Sequence, residues 1–164
     1  MIRIAIDGPG GAGKSTIAKL VGDKLGLEYI DTGAMYRAVG LKLNRKGIKP
    51  DDLISISNVL EETTIDFVNG KIILDGDDVS DIIRTQEISK FASIYSQIPE
   101  VRSKLVDIQR RIAAGKSVIM DGRDIGTNVL TDAELKIFLT ADSMVRARRR
   151  YEELRSKGVK ANLD

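Results

Sequence analysis

Gly8-Pro9-Gly10-Gly11-Ala12-Gly13-Lys14-Ser15 decides how the rest of the chain is read. It fills every fixed position of the pattern G-x-x-x-x-G-K-[S/T]. Its surroundings fit as well. Residues 2–6 form a short apolar, β-branched run that predicts a buried strand ending at Asp7. Ile17, Leu20, Val21 and Leu25 then recur at helical spacing, so a helix over Lys14–Leu25 is expected to turn that face inward. Gly26 is placed to stop it. The residue types answer to phosphate chemistry. Glycines let successive backbone N–H groups curl around a polyanion, and the helix N-terminus adds the positive end of its dipole. Lys14 supplies a point charge for β- and γ-phosphates, and the Ser15 hydroxyl suits Mg²⁺. With a strand before and a helix after, a glycine turn that binds nothing is the weaker reading. The motif implies a nucleoside triphosphate with Mg²⁺ and leaves open whether the protein is a kinase, a switch or a motor.

Working outward, residues 28–31 predict a second strand. Residues 33–46 predict a helix with Met35, Ala38, Val39 and Leu43 inward, stopped by Gly47. Strand–helix alternation implies an α/β fold with a parallel sheet, its layers α/β/α. The middle of the chain breaks the pattern. Residues 65–68 and 71–74 flank Asn69-Gly70, a hairpin signal because both residues tolerate positive φ. Asp75-Gly76 offers a second turn before residues 77–79, so a three-stranded antiparallel β-meander is expected as an insert. Helical structure is expected around residues 87–95. A longer helix starts at Pro99, with Val101, Leu105, Ile108 and Ile112 inward. The α/β pattern resumes with a strand at residues 117–120 before Asp121 and another at 135–139. A helix over 142–156 would have Met144, Ala147, Tyr151 and Leu154 as its apolar face.

Composition narrows the chemistry. The chain has 164 residues, enough for one compact domain with a small insert. It has no cysteine and no histidine, which excludes disulfides, thiolate nucleophiles, cysteine-ligated zinc and the commonest general base. The formal net charge of +2 hides an acidic stretch at 75–81 and a basic one at 146–155. This balance does not suggest nucleic-acid binding. No apolar run has membrane-spanning length, and the start is interrupted too early by Asp7 to be a signal peptide. A cytoplasmic monomer, with no nucleic-acid or membrane partner, is the expectation.

Three stretches point to an acceptor site. Ligands of open parallel sheets bind beyond the carboxyl ends of the strands. Asp31-Thr32-Gly33-Ala34-Met35-Tyr36-Arg37 follows the second strand, which puts Thr32, Tyr36 and Arg37 near the glycine loop, where a guanidinium suits a second phosphate. Asp121-Gly122-Arg123-Asp124 follows a later strand. Asp121 stands where a Walker-B acid would, and Arg123 and Asp124 are within reach of an acceptor. Arg146, Arg148, Arg149, Arg150, Arg155 and Lys157 load the last helix, with Arg146, Arg149 and Arg150 sharing a face. Phosphoryl transfer is catalysed mostly by positioning and charge, so these arginines read as a lid. The plainer alternative is a solvated helix with internal pairs such as Arg148 with Glu152.

Together these stretches resemble the bacterial type of cytidylate kinase. The resemblance rests on residues 6–16, 31–37, 83–87 (Ile-Arg-Thr-Gln-Glu), 99–102 (Pro-Glu-Val-Arg) and 121–127, in the family's order. It implies transfer of the γ-phosphoryl of ATP to CMP or dCMP. Gly8, Pro9, Gly10, Gly11, Ala12, Gly13, Lys14, Ser15 and Thr16 would bind ATP, with Mg²⁺ at Ser15. Thr32, Tyr36, Arg37, Ser93, Arg102, Arg123 and Asp124 would bind CMP, with Ser93, Arg102 and Asp124 on the cytosine. Lys14, Arg37 and Arg123 would be the catalytic charges. Arg146, Arg148, Arg149 and Arg150 would belong to the lid. Residues 1–60 and 99–164 would be the P-loop core, with the lid helix near 142–157, and residues 61–98 the inserted CMP-binding region.

The acceptor is already an ionised phosphate oxygen, so no general base is required, which agrees with the absence of histidine. The family continues past this point with an Arg/Asp-rich helix, another strand and a closing helix, so nucleotide binding without turnover is an alternative for this chain. A kinase for AMP, UMP or shikimate is another. A GTPase-like switch would need Asn-Lys-x-Asp after a late strand, and Asn44-Arg45-Lys46-Gly47 fails that test.

Overall fold

A computed structural model describes residues 1–156 and Gly158. Lys157 of the basic run and the side chain of Leu154 lie outside the described residues. The core is a parallel sheet of four strands: β1 (Arg3–Asp7), β2 (Glu28–Asp31), β6 (Val118–Gly122) and β7 (Leu135–Phe138), in the order β2-β6-β1-β7. Alternate residues of the inner strands bury into opposite layers. Ile4, Ile6 and Ile119 pack with Ala18 of helix α1 (Lys14–Leu25). Ala5, Ile30, Val118 and Met120 pack into the larger cluster, which includes α2 (Thr32–Arg45), α3 (Leu53–Glu61), α4 (Gln86–Tyr95) and α5 (Pro99–Ala113). This two-sided burial is what an α/β/α arrangement demands of a parallel strand.

The insert is a three-stranded antiparallel sheet, β3 (Ile65–Val68), β4 (Lys71–Leu74) and β5 (Asp77–Asp78). Asn69 and Gly70 both take positive φ, 52° and 75°, as the hairpin reading requires. The insert has no separate core, since Ile72, Leu74, Val79 and Ile88 belong to the same cluster as Met35 and Met120. Helix α4 lies close on α2. A Cβ on Gly40 would stand 2.9 Å from the backbone nitrogen of Ala92.

The inward faces expected for α2 and α5 are found: Met35, Ala38, Val39 and Leu43, and Val101, Leu105, Ile108 and Ile112, are all buried. Helix α1 corrects its expectation. Ile17, Leu20 and Leu25 are exposed, Val21 is half-buried, and the fully buried positions are Ala18 and Gly22. A Cβ on Gly22 would meet Leu27 O at 3.1 Å and Ile119 Cγ2 at 3.3 Å. Small residues let the helix approach the sheet closely, and that approach outweighs the apolar periodicity. Helix α6 (Ser143–Ser156) departs likewise: Met144 and Ala147 are exposed, Tyr151 is half-buried, and the side against the body carries Arg146 and Arg149. Strand β7 forms one edge of the sheet and is exposed along its length, Phe138 by 71 %.

Helix α3 was not anticipated, although its signals were present. Asp52 caps it by accepting from Ser55 N, and Ile56, Val59 and Leu60 are its buried face. A π-helical turn, Ile125–Val129, follows β6 and was likewise unassigned.

Candidate active site

Strands β1, β2 and β6 each carry an aspartate at the carboxyl end: Asp7, Asp31 and Asp121. Register sets them side by side, with Asp31 opposite Asp121 and Asp7 opposite Gly122. The glycine loop leaves β1 at the same level. Gly8 is obligatory there: its φ is +148°, and a Cβ would lie 1.9 Å from the carbonyl oxygen of Leu139.

Each carboxylate has a separate task. Asp7 accepts from the backbone N–H groups of Ile125 (2.7 Å) and Gly126 (2.9 Å), tying the loop after β6 to the root of the glycine loop. Asp31 caps α2 by accepting from Ala34 N (2.9 Å), and its other oxygen accepts from Arg37 Nη2 at 3.0 Å. Arg37 Nε is buried and has no partner among the described residues. Asp121, 5 % exposed, accepts from the hydroxyls of Ser15 and Tyr29, each at 2.8 Å. Burial pushes its carboxyl above the usual range, Asp31 adds to this, and the two hydroxyl bonds and Lys14 oppose it.

Lys14 donates to the Pro9 carbonyl at 2.9 Å. Burial draws its ammonium below the ordinary lysine value. Asp121 pulls the other way, Arg123 adds to the depression, and Asp7 and Asp31 counter it. Lys14 thus feels the charge of Arg123 and of the three strand-end carboxylates. Arg123 itself is exposed. Thr32 is buried, and its hydroxyl donates to the Asp121 carbonyl at 2.7 Å. It ties two strand ends together.

Arg102 and Asp124 form an ion pair at 2.5 Å, and Asn128 Nδ2 donates to the same carboxylate oxygen at 2.8 Å. Tyr36 lies beside this pair. Burial raises its phenol, Arg102 lowers it, and Asp124 raises it. Ser93 is exposed on α4.

On the far side, α6 covers the glycine loop. A Cβ on Gly11 would lie 3.1 Å from the Arg146 carbonyl oxygen. Arg149 Nη1 donates to the carbonyls of Gly11 (3.3 Å) and Ala12 (3.2 Å). Arg148 and Arg150 instead pair along their own helix, with Glu152 at 3.4 Å and Glu153 at 2.9 Å. Arg146 meets the loop through its backbone and Cβ while its Nε donates to the Ala141 carbonyl at 3.1 Å, so of the four basic residues only Arg149 brings its guanidinium to the loop.

The model of the family described as Cytidylate kinase matches residues 4–164. The chain belongs to the cytidylate kinase family. Among curated relatives, the cytidylate kinase of Caldanaerobacter subterraneus subsp. tengcongensis is 55 % identical over 99 % of this chain and 73 % of its own length. That of Fervidobacterium nodosum is 51 % identical over 99 % and 74 %. That of Caldicellulosiruptor saccharolyticus is 56 % identical over 98 % and 73 %.

In this family member, Asp7, Tyr29, Asp31 and Asn128 join the site without having been singled out from the sequence. Asp7 and Asp31 carried the signal used for Asp121, an acid closing a short apolar strand. Tyr29 carried none, because its partner Asp121 is 92 residues away, whereas Asn128 stands only four residues from Asp124 and is placed by the turn that follows β6.

Proposed function

We propose that this chain transfers the γ-phosphoryl of ATP to CMP or dCMP, giving ADP and CDP or dCDP. The observation that carries the reading is the cluster at the strand ends, where Lys14 at the glycine loop shares one electrostatic neighbourhood with Arg123 and with Asp31, the partner of Arg37. Two anions held there would meet end to end.

On this reading the loop from Gly8 to Thr16 cradles the ATP phosphates through its N–H groups. Arg37 grips the acceptor phosphate, and its unpartnered Nε supports that role. Arg123 and Lys14 balance the charge spread over the transferring group. Arg102, Asp124 and Ser93 read the cytosine, with Tyr36 beside them. The 61–98 region serves as the acceptor-binding segment.

Arg149 and Arg146 cover the loop and exclude water, and Arg148 and Arg150 hold the helix. The acceptor oxygen is ionised before it attacks, so no residue needs to remove a proton. Mg²⁺ fits the hard oxygens of Ser15 and Asp121, and it would neutralise charge on the β- and γ-phosphate oxygens.

The test is coupled ADP production with ATP·Mg²⁺ and a panel of CMP, dCMP, UMP, AMP and shikimate. Turnover with CMP and dCMP well above the others is expected. A different preferred acceptor would reassign the substrate. ATP binding without turnover on any acceptor would leave a nucleotide-binding module.

A further inference from the structure

Asp121 is the one buried carboxylate among the described residues, and a different hydroxyl donates to each of its side-chain oxygens. Ser15 bonds Oδ2 from the glycine loop, and Tyr29 bonds Oδ1 from β2. The terminal torsion of an aspartate is broad, so an unpinned carboxylate would not present one particular oxygen. Tyr29 removes that freedom because it is itself fixed. It stands opposite Ile119 in the strand register, two residues before Asp121, and its side chain reaches along the sheet to the strand end. Its Cβ lies 3.7 Å from where a Cβ on Gly22 would stand, and Lys19 Nζ sits 5.7 Å from its ring centroid. Phenylalanine would fill the same space, so packing alone does not call for the hydroxyl.

We propose that Tyr29 is a positioning residue for the nucleotide's Mg²⁺: by holding Oδ1 of Asp121 it aims Oδ2 at Ser15, on the metal side of the phosphates. This rests on the kinase reading above. Tyr29 does not touch the nucleotide. It acts through Asp121, and its effect belongs to metal-dependent binding rather than to the acceptor.

The experiment measures ADP binding to the full chain by calorimetry, once with Mg²⁺ and once with EDTA. The wild type should bind ADP more tightly with Mg²⁺. Tyr29→Phe should keep the EDTA affinity and lose about tenfold or more of the Mg²⁺-dependent gain, the scale of a lost supporting contact. In a Ser15→Ala background the same change should add little. If Tyr29→Phe is destabilised, the thermal shift that each form of ADP adds over the variant's own ligand-free Tm gives the same comparison. A Tyr29→Phe protein that keeps the full Mg²⁺ gain overturns the inference. So does one that weakens equally in Mg²⁺ and EDTA, which marks a merely structural role. A wild type with no Mg²⁺ gain removes the metal role of Ser15 and Asp121, and this inference with it.

Discussion

The strand-end mouth and the helix covering the glycine loop both collect arginines, but on opposite kinds of support. At the mouth most charges are referred to a strand, while Lys14 rests on the Pro9 carbonyl of the glycine loop itself. Arg37 is held by Asp31, the loop bearing Arg123 is tied down through Asp7, and Asp121 is pinned from two sides. On α6, Arg149 rests on two loop carbonyls at 3.2 and 3.3 Å, and Arg148 and Arg150 rest on their own helix. The difference teaches that basic residues of similar composition divide by what their partners are attached to. Groups on the sheet are preorganised, which is where electrostatic catalysis gains most. Groups on the helix can leave their carbonyls when phosphates offer a better partner.

The sharpest way to break this contrast is at the mouth. Lys14→Ala, Arg37→Ala and Arg123→Ala should each lower kcat/KM for CMP phosphorylation by about 10²- to 10³-fold, the scale of a lost preorganised donor. Far-UV circular dichroism should stay unchanged, since none of the three side chains belongs to the buried core. Near-normal turnover in any of them would remove that residue from the transfer.

A smaller effect separates the arginines of α6 from one another. Arg149→Ala should cost about tenfold in kcat/KM for ATP, whereas Arg148→Ala and Arg150→Ala, which lose only exposed helix pairs, should stay within about twofold. Equal losses across the three would show the whole helix acting as one diffuse charge. Steady-state kinetics at several ATP concentrations make the distinction.

The smallest effect lies away from both regions, in the insert. Asp75 pairs with Lys42 of α2 at 2.6 Å and accepts from Thr64 N at 2.9 Å. Burial pushes its carboxyl up, but the bonds from Lys42 and Thr64 outweigh this and leave it below the ordinary value. A depressed folded pKa adds stability above the unfolded value, and that stability is lost as pH falls through the folded one. Asp75→Asn should therefore cost up to about 1 kcal/mol near pH 7, modest because the carboxylate is partly solvent-screened. The gap to wild type should close below the usual carboxylate range, near pH 4. Urea melts at pH 7 and at pH 3 test this, and a gap that persists at pH 3 would refute the charge argument.

Much of this was written into the chain. The glycine loop, the Asn69-Gly70 hairpin and the faces of α2 and α5 follow from local geometry and period, because backbone conformation and amphipathic spacing are set by near neighbours. The candidate charges Lys14, Arg37, Asp121 and Arg123 were legible because each closes or follows a strand. Tertiary structure decided what depended on distance between elements. Ala18 and Gly22, not Ile17 and Leu20, face the sheet, because only small residues permit that approach. Arg149 meets the loop while Arg148 does not, although both lie on one short helix. Tyr29 and Ser15 converge on Asp121 across 92 and 106 residues of chain, a meeting that no local pattern encodes because strand order alone creates it.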